Sequence, residues 1–313
     1  MPTLTSETYE TTQEILESLQ ISLRLGERLP VETLTGYLHH RNSTIRKFAI
    51  ELLEYSNDPA SIPALLEVAA DGDIEVSILA SEVITSFRHL EAIPRLIEGL
   101  RHERAEVRLS AVNALRDRRA VAAIEGLLIT LNDSEPEVRR QSVQALGKYR
   151  RGELLPALRR AFRDESPSVR RTVVAAFADY EAAFVLSDLT GALRDADWQV
   201  RREAAAALWR FPEPEAVAGL RTALFDSVWQ VQREAALSLS RLKVDGGEDV
   251  ANFLLHDLAA MRIASIIALA ASGNPSWAAR IEPLLNDPDP GVQQSARRAL
   301  ERLASFKTQL IEL

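Results

Sequence analysis

Leu193-Arg194-Asp195-Ala196-Asp197-Trp198-Gln199-Val200-Arg201-Arg202-Glu203-Ala204-Ala205-Ala206-Ala207-Leu208 is the stretch on which the fold turns. Val200, Ala204, Ala207 and Leu208 fall at i, i+4, i+7 and i+8, the spacing of one helix face. The aspartates before them mark the turn that opens that helix. The same frame recurs along the chain. Ile45, Val76, Val107, Val138, Val169, Val200 and Val231 are 31 residues apart without a slip, and Arg46, Arg108, Arg139, Arg170 and Arg201 follow five of them. Upstream, an aliphatic residue and proline recur as Ile62-Pro63, Ile93-Pro94 and Leu155-Pro156. A period between 20 and 50 residues means stacked supersecondary units, none able to bury its apolar face alone.

Each row carries two helical patterns. Between Ile124 and Leu154, Ile124, Leu127, Leu128 and Leu131 form a short first helix. Asn132 to Pro136 break it, with Pro136 suited to the first turn of the next. Val138, Ser142, Ala145 and Leu146 form the second inward stripe. The rows predicted are 31–61, 62–92, 93–123, 124–154, 155–185, 186–216 and 217–247. Met261 sits one residue early, just after Gly246-Gly247, so a bend or altered packing is expected there. Thr8–Leu25 reads as a single amphipathic capping helix and 281–306 as a last unit. The expectation is an all-α, right-handed α-solenoid of about nine helix–turn–helix units. Residues 1–30 would be an N-terminal cap, 31–247 the regular rows, and 248–313 an irregular row, a final row and a C-terminal cap.

The pattern L-x-D-x-x-x-x-V-R-x-x-A-x-x-A-L of the opening stretch resembles HEAT repeats over roughly residues 31–306. The 31-residue length resembles the short bacterial subclass named for phycobilisome lyases. That resemblance implies chromophore attachment to phycobiliproteins, phycobilisome turnover or adaptor roles. No segment outside the rows marks the chromophore-lyase branch.

Composition narrows the chemistry. The absence of cysteine removes disulfides, thiolate metal sites, iron–sulfur clusters and thiol nucleophiles. No secretory signal is visible in the first thirty residues and no apolar run approaches a membrane span, so a cytoplasmic location is expected. P-loop, G-x-G-x-x-G and G-x-S-x-G signatures are missing, and no cofactor is expected. The histidines (His39, His40, His89, His102 and His256) lack zinc-ligand spacing, and His40 and His102 stand two rows apart, so no metal site is expected either. The net charge of −8 weighs against a nucleic-acid binder. Its distribution is uneven, because residues 139–241 hold 17 Lys and Arg against 13 Asp and Glu.

Two sets of columns carry the candidate roles. Asp133, Asp164, Asp195, Asp226 and Asp257 recur at the inter-helix turn, with Arg139, Arg170 and Arg201 six residues after the first three. An aspartate there would favour the helix dipole, accept backbone N–H groups and reach an arginine in the adjacent row. Asp133, Arg139, Asp164, Arg170, Asp195 and Arg201 are therefore expected to form a structural ladder. In HEAT-type stacks the second helices line the concave face, where offsets +2, +6, +9 and +10 from the valine should point outward. Offset +2 holds Arg140, Arg171, Arg202 and Arg233, and offset +10 adds Lys148, Arg210 and Arg241. These would bind carboxylates or phosphates, or pair with local acids such as Glu203 and Glu234. Trp198 and Trp229 replace Pro136 and Pro167 and would stack one above the other, covering the turn or meeting a partner. Trp209, at offset +9 beside Ala175 and Ala206, is packed or exposed.

The leading functional expectation is a non-catalytic scaffold gripping an acidic partner protein with these arginines and tryptophans. A phycobilin lyase subunit or chromophore chaperone is the alternative, its arginines on tetrapyrrole propionates. Similarity to HEAT-like alkylpurine DNA glycosylases would instead engage Asp179, Asp197, Trp198 and Trp229.

Overall fold

The computed structural model describes residues 11–87 and 89–311, with side chains through 306. The described residues of the expected opening helix run from Thr12 to Leu25, capped by Thr11. Residues 8–10 of that expectation lie outside the described residues. The chain is an α-solenoid that divides into two compact units, residues 1–149 and 150–313.

In the first unit the helices are α1 (Thr12–Leu25), α2 (Val31–Tyr37), α3 (Ser43–Ser56), α4 (Ile62–Val68), α5 (Ile74–Ser86), α6 (Ala92–Gly99), α7 (Ala105–Arg116), α8 (Ile124–Thr130) and α9 (Pro136–Gly147). The second unit holds α10 (Leu155–Ala161), α11 (Pro167–Phe177), α12 (Ala182–Ala192), α13 (Trp198–Leu208), α14 (Pro214–Ala223), α15 (Trp229–Arg241), α16 (Gly247–Ala251), α17 (Ala259–Ala271), α18 (Ala278–Ile281) and α19 (Pro290–Ile311). From α3 onward, odd-numbered helices are the second helices of their rows. Within each unit they pack on one another, and each row's first helix packs on its own second.

The 31-residue column is the core. Ile45, Val76, Val107, Val138, Val169, Val200, Val231, Met261 and Val292 are all fully or almost fully buried. Burying each such side chain stabilises the stack by about 1.5–3 kcal/mol. Four residues on stand mostly small side chains, including Ala49, Ala80, Ala111, Ser142, Ala204 and Ala235, all buried. Small residues there let neighbouring second helices approach closely.

Polar rungs hold the turns. Both guanidinium edges of Arg170 donate to Asp195 at 2.7 and 2.8 Å, a fork matched to a carboxylate. Arg108–Asp133, Arg201–Asp226 and Arg262–Asp287 repeat this pairing at the same 25-residue separation, and Arg46 reaches Asp71 through one nitrogen. The remaining nitrogen of Arg170 donates to the Asp164 and Glu165 carbonyls of its own turn. Arg139 likewise donates to the carbonyls of Asp133 and Ser134. Each rung aspartate also accepts the N–H two residues on, as Asp164 does from Ser166 and Asp195 from Asp197. The rung residue therefore closes the turn and is not itself the helix cap. Asp73 and Asp197, two residues later, accept the N–H groups of the helix's first turn.

The column substitutes in a coupled way. Where Ser77 and Gln232 replace the arginine, the residues 25 positions later are His102 and His256. Each histidine accepts the N–H two residues on through Nδ1, as the aspartate does. His256, rather than Asp257, thus occupies the rung position in row eight. The one-residue slip lies upstream of it: α16 spans five residues and gives way to a 3₁₀ turn over Asn252–Leu255. A 3₁₀ turn rises further per residue, so it covers similar length with fewer residues. Gly247 supplies the left-handed backbone before it, at φ +62°. Helices α15 and α17 begin at Val228 and Leu258, which offer no side-chain cap. Each forgoes about 1 kcal/mol that a capping side chain contributes.

Asp195→His is expected to cost about 1–3 kcal/mol, because Arg170 loses its charged partner. Adding Arg170→Gln, which reproduces the Gln232/His256 combination, should recover part of the loss in urea midpoints. The rungs also set acid sensitivity. Burial favours the protonated carboxyls of Asp133, Asp195 and Asp226, but the hydrogen bonds from the arginines and turn N–H groups outweigh it and hold them below the usual range. A depressed folded-state pKa gives stability that is complete above the unfolded value, about 3.9, and lost as pH falls through the folded value. Urea midpoints should hold down to about pH 4 and decline below it, less steeply in Asp195→Asn.

Candidate functional site

The second helices of the two units carry different charge patterns on their outward faces. Offset +2 from the buried valine lies against offset −1 of the next row, 28 residues on, as the Lys47–Glu75 ion pair at 2.7 Å demonstrates. In the first unit offset −1 is glutamate at Glu75, Glu106 and Glu137. In the second unit it is Ser168, Gln199, Gln230 and Ala260, all uncharged. The arginines Arg171, Arg202 and Arg233 on α11, α13 and α15 consequently meet no carboxylate. Arg171 donates to the Gln199 amide oxygen at 2.9 Å. Arg202 lies over the Trp198 ring, 5.8 Å from its centroid. Arg233 makes no hydrogen bond or ion pair among the described residues.

The adjacent glutamates do not neutralise them. Consecutive helical residues project about 100° apart, so Glu203 does not face Arg202, nor Glu234 Arg233. Glu234 is turned toward Arg241, at 3.4 Å.

Other candidates are self-paired. Arg140, in the first unit, grips Glu137 through two nitrogens at 2.5 and 2.7 Å, and that hydrogen bonding holds the Glu137 carboxyl below its usual range. Lys148 pairs with Asp117. Arg210 pairs with Asp179 at 2.9 Å, and Arg150 approaches the same carboxylate at 3.2 Å. Asp179 is thus held between two guanidiniums, and Asp197 serves as the cap of α13. Neither carboxylate is left uncommitted for chemistry on a ligand.

The tryptophans divide between surface and core. Trp198 and Trp229 open α13 and α15 at the first helical position. They do not pair ring to ring among the described residues, because rows about 10 Å apart exceed the 4.5–7 Å range of aromatic contacts. Trp209 is exposed and flanked by Arg210 and Arg241, whose guanidiniums lie 5.6 and 5.7 Å from its ring. Trp277 is buried and donates its indole N–H to Asp245 at 3.2 Å, a tie between consecutive rows.

The sequence reading passed over the offset −1 column, which decides which arginines stay free of a carboxylate. Its signal was present as the change from Glu75, Glu106 and Glu137 to Ser168, Gln199, Gln230 and Ala260. Among the described residues, no group of three or more His, Asp or Glu side chains is placed to hold a metal ion. No described helix is long and apolar enough to cross a membrane.

Comparison with known proteins agrees with this architecture. The family model described as HEAT repeats matches residues 62–129, 124–195 and 186–261. The structure is similar to that of Escherichia coli YibA, with a TM-score of 0.52 at 15% identity, over 96% of this chain and 99% of that one. It is also similar to importin beta crystallised in ammonium sulfate, with a TM-score of 0.63 at 13% identity. That match covers 94% of this chain and 48% of importin beta, so the chain spans about half of that protein's length. A search of curated proteins finds no significant match.

The charge environment of the indoles can be read by quenching. In a variant retaining only Trp209, iodide should quench the fluorescence more strongly than caesium at low salt, because Arg210 and Arg241 attract the anion. A variant retaining only Trp277 should respond weakly to both.

Proposed function

The chain belongs to the HEAT-repeat family, and from that premise we propose that it is a non-catalytic scaffold whose second unit binds an acidic partner protein. The surface is the outward face of α11, α13 and α15, with Arg171, Arg202 and Arg233 as anion-binding groups and Trp198 and Trp229 as flanking apolar area. The observation that carries this reading is the uncharged column Ser168, Gln199, Gln230 and Ala260 beside those arginines. A partner carboxylate can meet Arg233 without displacing an internal ion pair, and can replace neutral contacts at Arg171 and Arg202. Tryptophan and arginine are the side chains that dominate binding hot spots, because each combines large contact area with a directional polar or charged group.

The same reasoning removes some residues from the proposed contact set. Arg140 and Arg210 would each have to give up a carboxylate already bound, which cancels most of the gain from a new one. They are assigned to the frame of the surface, with Arg241 and Trp209 at its edge.

The test is a comparison of wild type with Arg171→Glu/Arg202→Glu/Arg233→Glu in cross-linked pull-downs. Circular dichroism should stay unchanged, because none of the three side chains is buried. The expected result is loss of wild-type partners and their release from wild type by moderate salt. Retention of every partner by the folded variant would refute the surface. Arg140→Glu should leave capture intact.

A further inference from the structure

The inter-helix turns of the second unit carry a feature that the rungs do not use. One residue before the rung position stand Arg163, Arg194, Phe225 and Leu255, in four successive rows and all exposed. Neither arginine has an ion pair or hydrogen bond among the described residues. Phe225 is 71% exposed and Leu255 85%. Rows seven and eight also place Val228 and Leu258 at the helix cap position, and Leu258 is 40% exposed. Between the same two rows the rung is Gln232 and His256 instead of arginine and aspartate. Stability gains nothing from these choices: two large apolar side chains face water, two helices start uncapped, and one rung lacks its ion pair. Arg194 and Phe225 line a single groove of about 690 Å³ between α12 and α14, whose lining includes Gly191, Ala218 and Gly219.

We propose that this turn edge docks an extended segment of a partner protein, in which two acidic residues are followed by two large apolar ones. Charge complementarity selects the acidic half, since Arg163 and Arg194 are free guanidiniums that accept a carboxylate without breaking an existing pair. Spacing selects the register. Rows stand about 10 Å apart, and an extended chain advances about 3.3 Å per residue. One anchor therefore falls at every third residue, in the order acidic-x-x-acidic-x-x-apolar-x-x-apolar. A membrane surface fits less well. Asp257 is exposed between Leu255 and Leu258, and a carboxylate there is repelled by anionic headgroups and costly in hydrocarbon. The edge is separate from the arginine face of α11, α13 and α15 and does not rest on it.

The test is fluorescence anisotropy with a fluorescein-labelled peptide, Asp-Gly-Ser-Asp-Gly-Ser-Phe-Gly-Ser-Leu, and with the same peptide in reversed order. Saturable binding of one of them by the full chain is expected. Phe225→Ser/Leu255→Ser and Arg163→Glu/Arg194→Glu should each weaken it by about tenfold or more, the size expected for losing anchor contacts. Val228→Asp/Leu258→Asp separates docking from folding, because it supplies helix caps: the melting temperature should rise while peptide binding falls. Arg171→Glu/Arg202→Glu/Arg233→Glu should leave peptide binding unchanged, which distinguishes a failure here from a failure of the helix-face reading. Binding of neither peptide, or binding indifferent to Phe225 and Leu255, would overturn the proposal. So would sedimentation of the wild type with phosphatidylserine vesicles that is lost in Phe225→Ser/Leu255→Ser.

Discussion

The bidentate rung between an arginine and the aspartate 25 residues later is the interaction on which the regularity of each unit depends. One guanidinium does three jobs. Its fork binds the next row's carboxylate, its remaining nitrogen takes two carbonyls of its own turn, and its stem lies beside the buried valine. The aspartate meanwhile closes the following turn by accepting a backbone N–H. These groups are mostly shielded from water, so the pairing is worth more than a surface ion pair, and losing one partner costs more than the pair's net contribution. The coupled replacements support that asymmetry. Ser77 comes with His102 and Gln232 with His256, so neither histidine faces a rung arginine and no rung arginine of those rows is stranded. The histidine keeps the turn-closing hydrogen bond and gives up only the charge.

A frame fixed this way leaves the outward offsets free to vary, and the two units use that freedom differently. In the first unit, glutamates at Glu75 and Glu137 hold Lys47 and Arg140. In the second, serine, glutamine and alanine stand at the same offset, and the arginines beside them face amide, indole or solvent. The contrast is electrostatic and local. It does not follow from net charge, which is negative for the chain as a whole, and it arises from what stands beside each arginine, not from how many arginines there are.

Legibility in the sequence followed the range of the interaction. The buried column from Ile45 to Val231 was readable because helix burial imposes a fixed period, and the Arg–Asp rungs were readable because they repeat with it. The rung position of row eight was not, because counting in steps of 31 lands on Asp257 while the 3₁₀ turn after α16 shifts the position to His256. Pairings inside the period were also hidden. Arg140 finds Glu137 three residues back on its own helix, which i,i+3 spacing allows. By contrast, the choice of Glu234 between Arg233 and Arg241 depends on helix phase and rotamer. Trp277 reads like the other tryptophans in composition, yet it is buried on Asp245 because the last rows pack through a short α18 and two 3₁₀ turns. The candidate surface was half legible: the arginine column could be seen, but its release from acidic neighbours depended on a column that carries no unusual residue.

Rows seven and eight give up a rung and two caps, and a one-dimensional stack is the architecture in which that can be done without unfolding the rest. Stability in such an array is a sum of row terms and nearest-neighbour terms, so a weak interface is felt mainly by the two rows that share it. Here the weak interface is bracketed. Arg201–Asp226 clamps the turn before it and Arg262–Asp287 the turn after it, both as full forks. The buried residues beneath, Val231 and Met261, are as enclosed as elsewhere. The concession is therefore confined to the polar edge and does not reach the core. Polar bonding that could have stabilised the turn is replaced by exposed phenylalanine and leucine at the one interface where both neighbours can carry the load. Exposed apolar area held on a rigid backbone between two ion-pair clamps loses little entropy when it is covered, and that is the physical case for reading this edge as a recognition surface and not as a packing defect.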